Sequence, residues 1–127
     1  MLKIFKQTIY VQIEKDAFTL FHVQENKRIH VSSPSPFSNA RLAIAEFNLA
    51  EEILAKGLLE IYPKSFLRVA PVLVMHQLHQ TEGGLCEIEE RILRELALSV
   101  GAKQVYIWQG SVLSSEQLLN KAYTNKG

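Results

Sequence analysis

Val72, Leu73, Val74 and Met75 follow one another without a polar residue between them, with Pro71 just before and His76 just after. A strand wetted on one side alternates polar and apolar residues. A run that is apolar on both sides belongs inside a sheet that is covered on both faces. Pro71 has no amide hydrogen to give a ladder, so it is expected at the start of this strand. This short run therefore excludes an all-helical chain and demands cover for two sheet faces.

The first third of the chain supplies further strands. Ile9, Val11 and Ile13 alternate with Thr8, Tyr10 and Gln12, and Phe18, Leu20 and His22 alternate with Thr19, Phe21 and Val23. "ENK" makes a turn and "RIHVSS" a third strand. Period-two patterning with tight turns predicts an antiparallel meander. "SSPSPFSN" is a loop, since two prolines among serines suit neither helix nor ladder.

Two longer stretches carry helical periodicity. Residues 40–61 place Ala43, Phe47, Ala50, Leu54 and Leu58 on one stripe beside Leu42, Leu49 and Ile53, with Ser38 or Asn39 as cap and Pro63 as stop. Residues 85–100 place Ile88, Ile92, Leu96 and Val100 on a core stripe widened by Leu85, Leu93 and Ala97, and Gly101 ends the helix. Glu87–Arg91 and Glu90–Arg94 are acid-first pairs at the favoured spacing. "KQVYIW" is a fifth strand, and Ser114 with Gln117 caps a short last helix.

The order βββαβαβα predicts an α/β fold, a mixed sheet with helices on both faces. Right-handed crossovers put strands one, four and five parallel at its centre, the ribonuclease H-like arrangement. The 127 residues suit a single domain, 1–127. A net charge of +1 gives no electrostatic reason to bind nucleic acid. One cysteine allows no internal disulfide and points to a reducing cytoplasm. No stretch reads as a signal peptide or a membrane span, so no membrane insertion is expected.

Residues 83–108 resemble part of the bacterial actin MreB, on Cys86, Glu89, Gly101, Ala102, Val105, Tyr106 and Ile107. "FSNARLAIAEFNLAEEIL" and "EGGLCEIEERILRE" resemble the family of the small bacterial stress-response protein YjaA over most of the chain. That second resemblance implies a stand-alone cytoplasmic protein linked to stress, with no established chemistry. The actin resemblance implies an aspartate-x-glycine-threonine phosphate turn after the first strand. The chain reads "VQIEKDAF" there, with Gln12 in place of the aspartate and no glycine. An amide brings no charge to magnesium, and the chain is too short for the second phosphate loop. Glu89 matches the glutamate that orients water, with nothing left for it to activate. Phosphoryl transfer depends on positioning and charge neutralisation, so ATP hydrolysis is not expected. Nuclease chemistry lacks its carboxylates: Glu14 and Asp16 stand alone at the end of strand one, and no acid follows His76 before Glu82.

The expectation is a non-enzymatic protein without cofactor or metal that binds a protein partner, a second copy of itself being one candidate. The blocks shared with the YjaA family supply the expected interaction surface, Phe37, Arg41, Gly83, Gly84 and Glu89. An alternative is a sensor of a small molecule or nucleotide. Ligands of open parallel sheets favour the crevice beyond the strands' carboxyl ends, where Gln12, Glu14, His76, His79, Glu82 and Trp108 are candidates. A third reading is a metal or redox sensor on His76, His79, Glu82 and Cys86, although their spacing matches no recognised zinc pattern.

Overall fold

The computed structural model describes residues 6–65 and 68–124. The chain forms β1 (Thr8–Glu14), β2 (Ala17–His22), β3 (Lys27–Ser32), α1 (Phe47–Ile61), β4 (Val72–Gln77), α2 (Glu87–Ser99), β5 (Gln104–Trp108) and α3 (Ser115–Leu119), followed by a 3-10 turn at Ala122–Thr124. The five-stranded sheet runs β3-β2-β1-β4-β5. The meander β1-β2-β3 is antiparallel, while β1, β4 and β5 are parallel. This is the expected mixed sheet in the ribonuclease H-like order. One correction concerns β5, which lies at an edge and not at the centre.

Alternation along the strands splits the interior into two layers. Ile9, Val11, Ile13, Phe18, Leu20, Leu73 and Met75 face α1 and α2, against Leu54, Leu58, Leu93 and Leu96. Tyr10, Phe21, Val23 and Val74 face the other way, beneath Leu113, Leu118 and Tyr123. The apolar run of β4 feeds both layers, which is why it tolerates no polar residue before His76. Pro71 directly precedes β4, and its carbonyl accepts the Lys103 amide at 2.8 Å, which fixes where β5 begins.

α1 starts at Phe47, well after the expected residue 40. The intervening backbone satisfies itself without a helix. Asn39 Oδ1 accepts the amides of Arg41 (2.8 Å) and Leu42 (2.7 Å). The Phe37 carbonyl accepts those of Ala45 (2.7 Å) and Glu46 (2.9 Å). An asparagine side chain offers the backbone this local alternative to helix, so Asn39 builds a turn where a cap was expected. Neither it nor Ser38 caps α1, whose N-cap is Glu46. Further along, Gly57 lets α1 approach the sheet: a Cβ there would stand 3.0 Å from Val31 Cγ2.

α2 also turns differently from its expected stripe. Leu93, Leu96 and Ala97 are buried, but Ile88 is 64% exposed. At 3.6 residues per turn each four-residue step overshoots by about 40°, so a strict series Val100–Leu96–Ile92–Ile88 winds off the sheet. The expected cap of α3 holds: the Gln117 backbone amide donates to Ser114 Oγ (3.1 Å), and that of Ser114 donates to Gln117 Oε1 (2.9 Å).

Candidate functional site

Strand pairing sets Gln12 beside His76 and His76 beside Trp108, one row across the carboxyl ends of β1, β4 and β5. Half of the expected crevice set is therefore brought together. The row is closed, however, by the segment that follows β5. His76 is buried, with Nδ1 2.6 Å from the Tyr10 hydroxyl and Nε2 3.0 Å from the Gly110 carbonyl. The Leu113 amide donates to the Tyr10 oxygen at 3.1 Å. The only consistent direction is Leu113 N–H to Tyr10, Tyr10 O–H to His76 Nδ1, and His76 Nε2–H to Gly110. Burial holds the imidazole below its ordinary pKa, against the opposing pull of the Gly110 carbonyl. Burial likewise raises the Tyr10 phenol, against smaller effects of Leu113, Arg28 and Gln12. Both groups are thus neutral near pH 7 and spend their polar atoms on structure.

Gly110 makes this closure possible. Its φ is +151°, and a Cβ would lie 3.0 Å from Trp108 Cζ2. The Trp108 indole N–H donates to the Ser111 carbonyl at 2.8 Å, so the ring lies against its own following loop. Gln109 Oε1 accepts the Leu85 amide at 2.9 Å and ties the same loop to the start of α2.

The other expected residues disperse. Glu14 accepts from the Thr19 hydroxyl at 3.0 Å, with His30 Nδ1 at 3.6 Å, so it belongs to the meander. His79 and Glu82 sit in the loop after β4. The Gln77 side chain donates to the carbonyls of His79 (3.0 Å) and Gln80 (3.3 Å). Gln77 and His76 point to opposite sheet faces, so this loop folds toward α2 and away from the His76 ring. With both ring nitrogens of His76 engaged and Cys86 exposed, the proposed metal set does not form. Among the described residues no three His, Cys, Asp or Glu side chains come together to hold an ion.

The expected interaction surface needs a correction at Phe37. Its side chain is fully buried and stacks on Phe18 at 5.1 Å. The loop is pinned beneath the sheet's end by Asp16, whose Oδ1 accepts the amides of Phe37 (2.9 Å) and Ser38 (2.8 Å). Burial pulls the Asp16 carboxyl upward, but hydrogen bonds from Ser38 and Phe37, with Lys15 nearby, outweigh it and hold the group below its ordinary range. The β1–β2 turn, where an actin-type phosphate loop would lie, is thus a two-residue hairpin whose carboxylate is already used. Arg41, Gly83 and Gly84 are exposed, as a surface role requires. Glu89 is half-buried, and its Oε1 accepts the Cys86 amide at 3.0 Å, a helix cap.

The surface that sequence reasoning missed is the outer edge of β5. Among the described residues no strand pairs there. Gln104, Val105, Tyr106, Ile107 and Trp108 carry no charge, and all but Gln104 are half-buried. Four exposed apolar side chains occupy the elements around it: Ile88 and Leu98 on α2, Val112 in the following loop, and Leu119 on α3.

No protein-family model matches the chain. Over 120 residues it is 37% identical to the uncharacterized protein YjaA of Escherichia coli strain K12, covering 87% of this chain and 93% of that protein. The chain belongs to the YjaA family. Nothing in this relationship extends to MreB or the actins. The YjaA relative's description carries no activity, ligand or partner, so the chemistry of this member rests on its own atoms.

Helix order was the one signal that pointed to the edge. Sequential strands are usually neighbours, so a β-α-β-α-β series that starts from a strand already paired by a meander tends to leave its last strand outermost.

Proposed function

We propose that this YjaA-family protein is a binding module and not an enzyme, and that it recognises a protein partner through the free edge of β5 and the apolar side chains around it. The carrying observation is the β5 edge, uncharged and, among the described residues, unpaired, with exposed Leu98, Val112 and Leu119 on the elements next to it. Exposed strand edges template pairing with another chain, and apolar flanks add burial to main-chain hydrogen bonds. The filled strand-end crevice and the occupied β1–β2 turn support the absence of a reaction. A cytoplasmic setting and a link to stress belong to this reading by resemblance to the YjaA family, and a scaffold of actin-half-like order without a phosphate site belongs to it by element order alone. Among the described residues no helix is long and apolar enough to cross a membrane.

The test compares proteins that co-purify with tagged wild type and with a Leu98→Glu, Leu119→Glu variant of unchanged thermal stability. A partner lost only with the variant is the expected result; identical sets of partners remove the reading. A thermal shift with magnesium and ATP would argue for the enzyme instead.

One observation favours a small-molecule sensor as a second reading, at the opposite end of the sheet from the expected crevice. A cavity of about 630 Å³ lies between the end of α1 and the end of α2, lined by Leu58, Leu59, Pro71 and Val100 with Lys64 and Arg68. Its size and its apolar wall with two cations suit an anionic ligand with an apolar body. Stabilisation by medium-chain carboxylates, lost in Lys64→Ala, is the expected outcome on that reading; a flat response removes it.

A further inference from the structure

We infer that the occupant of the β5 edge is a second copy of this chain, bound antiparallel about a two-fold axis that joins the two sheets into one. This inference rests on the binding-module reading and specifies its partner.

The argument begins with how α2 lies. It packs over β4 and β5, and α1 packs over β2 and β3. Ser99 at the end of α2 and Val100, its C-cap, border the same cavity as Ala55, Leu58 and Leu59 of α1, so that side of α2 faces α1. Helical geometry puts Glu87, Arg91, Arg94 and Leu98, spaced by four, three and four, on one stripe on the opposite side. That stripe and Glu90 line a shallow groove along α2. Since α2 packs over β4 and β5 with its other side toward α1, the stripe lies on the side toward the β5 edge, where a helix of a second copy would meet it.

The charges on this stripe are ordered along the helix. Glu87 and Glu90 come first, then Arg91 and Arg94. When two such helices lie antiparallel, Glu87 stands opposite Arg94 of the second copy and Glu90 opposite its Arg91. The two-fold repeats both pairs, giving four contacts between opposite charges. A parallel arrangement would set acid against acid and base against base, which is unfavourable. The Glu87–Arg91 pair within the helix is a weak competitor, at 4.0 Å between highly exposed side chains.

The strand can obey the same axis. Antiparallel β5 edges centred on Tyr106 set Gln104 opposite Trp108 of the second copy. The midpoint between Glu90 and Arg91 lies about 5 Å into α2. Tyr106 lies about 7 Å back from the end of β5. Since α2 enters from that same end of the sheet, both centres sit at a similar height. Leu98 and Leu119, 52% and 61% exposed, then gain cover on the two faces of the joined sheet. Two five-stranded sheets become one of ten strands, whose free edges, among the described residues, are the two copies of β3.

The experiment is sedimentation equilibrium of the full chain, with two charge-reversal variants, Glu87→Arg with Glu90→Arg and Arg91→Glu with Arg94→Glu. The expected result is a wild-type dimer, weakened roughly 10- to 100-fold in each variant alone. An equimolar mixture of the two variants should recover the dimer, because opposite charges then meet again. Recovery in the mixture also shows that both variants fold. A wild type that stays monomeric up to high concentration overturns the inference, as does a dimer that neither variant weakens or that the mixture fails to restore. The binding-module reading is lost separately, only if the co-purifying partners are also indifferent to Leu98→Glu and Leu119→Glu.

Discussion

The sheet has two edges, and the chain finishes them by different means. β3 presents Lys27, Arg28 and His30, with Arg28 lying over the Phe21 ring at 4.9 Å and His30 held by Thr19 at 3.0 Å. Charged side chains on an edge strand discourage pairing with another chain. β5 presents Gln104, Val105, Tyr106, Ile107 and Trp108, with no charge among them. The same physics that guards one edge is missing from the other. The difference is informative because the two strands share a sheet and a similar length, so it reports what each edge is for and not a general habit of the chain.

The largest effect should come from the layer that carries the β5 side. Leu96 is fully buried beneath α2, whereas Leu98, two residues on, is half exposed. Leu96→Ala leaves a cavity and is expected to cost about 2–5 kcal/mol. Leu98→Ala should change stability by less than about 0.5 kcal/mol while weakening association. Urea denaturation of both variants, beside sedimentation, separates the two roles; equal losses of stability would show that Leu98 belongs to the core.

Next in size is the stitching that borders β5. Tyr10→Phe keeps the ring but leaves His76 Nδ1 and the Leu113 amide without their partner. A buried polar group left unpaired costs about 1–3 kcal/mol, so this one-oxygen change should be visible in denaturation. On the β3 side the Thr19 hydroxyl bonds Glu14 and His30 in a part-buried setting, so Thr19→Val should cost less. If the two substitutions prove alike, the closure over the strand ends is weaker than its geometry implies.

Much of this architecture was legible because it follows local rules. Alternation marked β1 to β3, the unbroken run marked β4, and Ser114 with Gln117 marked α3. What was illegible depended on distant partners. Tyr10 and His76 are 66 positions apart, and His76 and Gly110 are 34 apart, so nothing near His76 shows that both its nitrogens are used. Phe37 looked like a loop residue among prolines and serines, because its anchor, Asp16, lies 21 positions upstream. β5 read as a core strand from its composition, since edge or centre is a property of strand order and not of the strand itself.

Acid should test both halves of the sheet together. Burial lowers the pKa of His22, which sits beside the β3 hairpin, helped by Lys27 and opposed by Glu25 and the Ile61 backbone. Burial also lowers that of His76 on the β5 side. In the unfolded chain both should titrate near about 6.5. Below that value the unfolded state takes up protons that the folded state resists, so stability falls as pH falls; above about pH 7 both states are neutral and stability is flat. Each histidine can contribute a slope of up to about 1.4 kcal/mol per pH unit. Melting temperatures of wild type and His76→Gln between pH 5 and 8 should show a shallower acid limb in the variant. A steeper limb would mean that His76 is charged in the fold.

The smallest effect on stability should have the largest effect on assembly. Lys27→Thr with Arg28→Thr removes the charged guards from β3 and leaves exposed positions filled by a residue that strands accept. The monomer should change by no more than about 1 kcal/mol, since surface pairs and rim hydrogen bonds are worth little. A chain with one open edge closes as a two-fold dimer and stops, because the isologous contact uses up its own surface. A chain with two open edges has nothing to stop it, and sheets can add to sheets without limit. The variant should therefore form long assemblies where the wild type, on the proposed pairing, stops at dimers, seen as fast-sedimenting material that grows with concentration. If it instead behaves as the wild type does, the charges on β3 are not what keeps that edge single, and α1 packed against Val31 must do so by bulk alone.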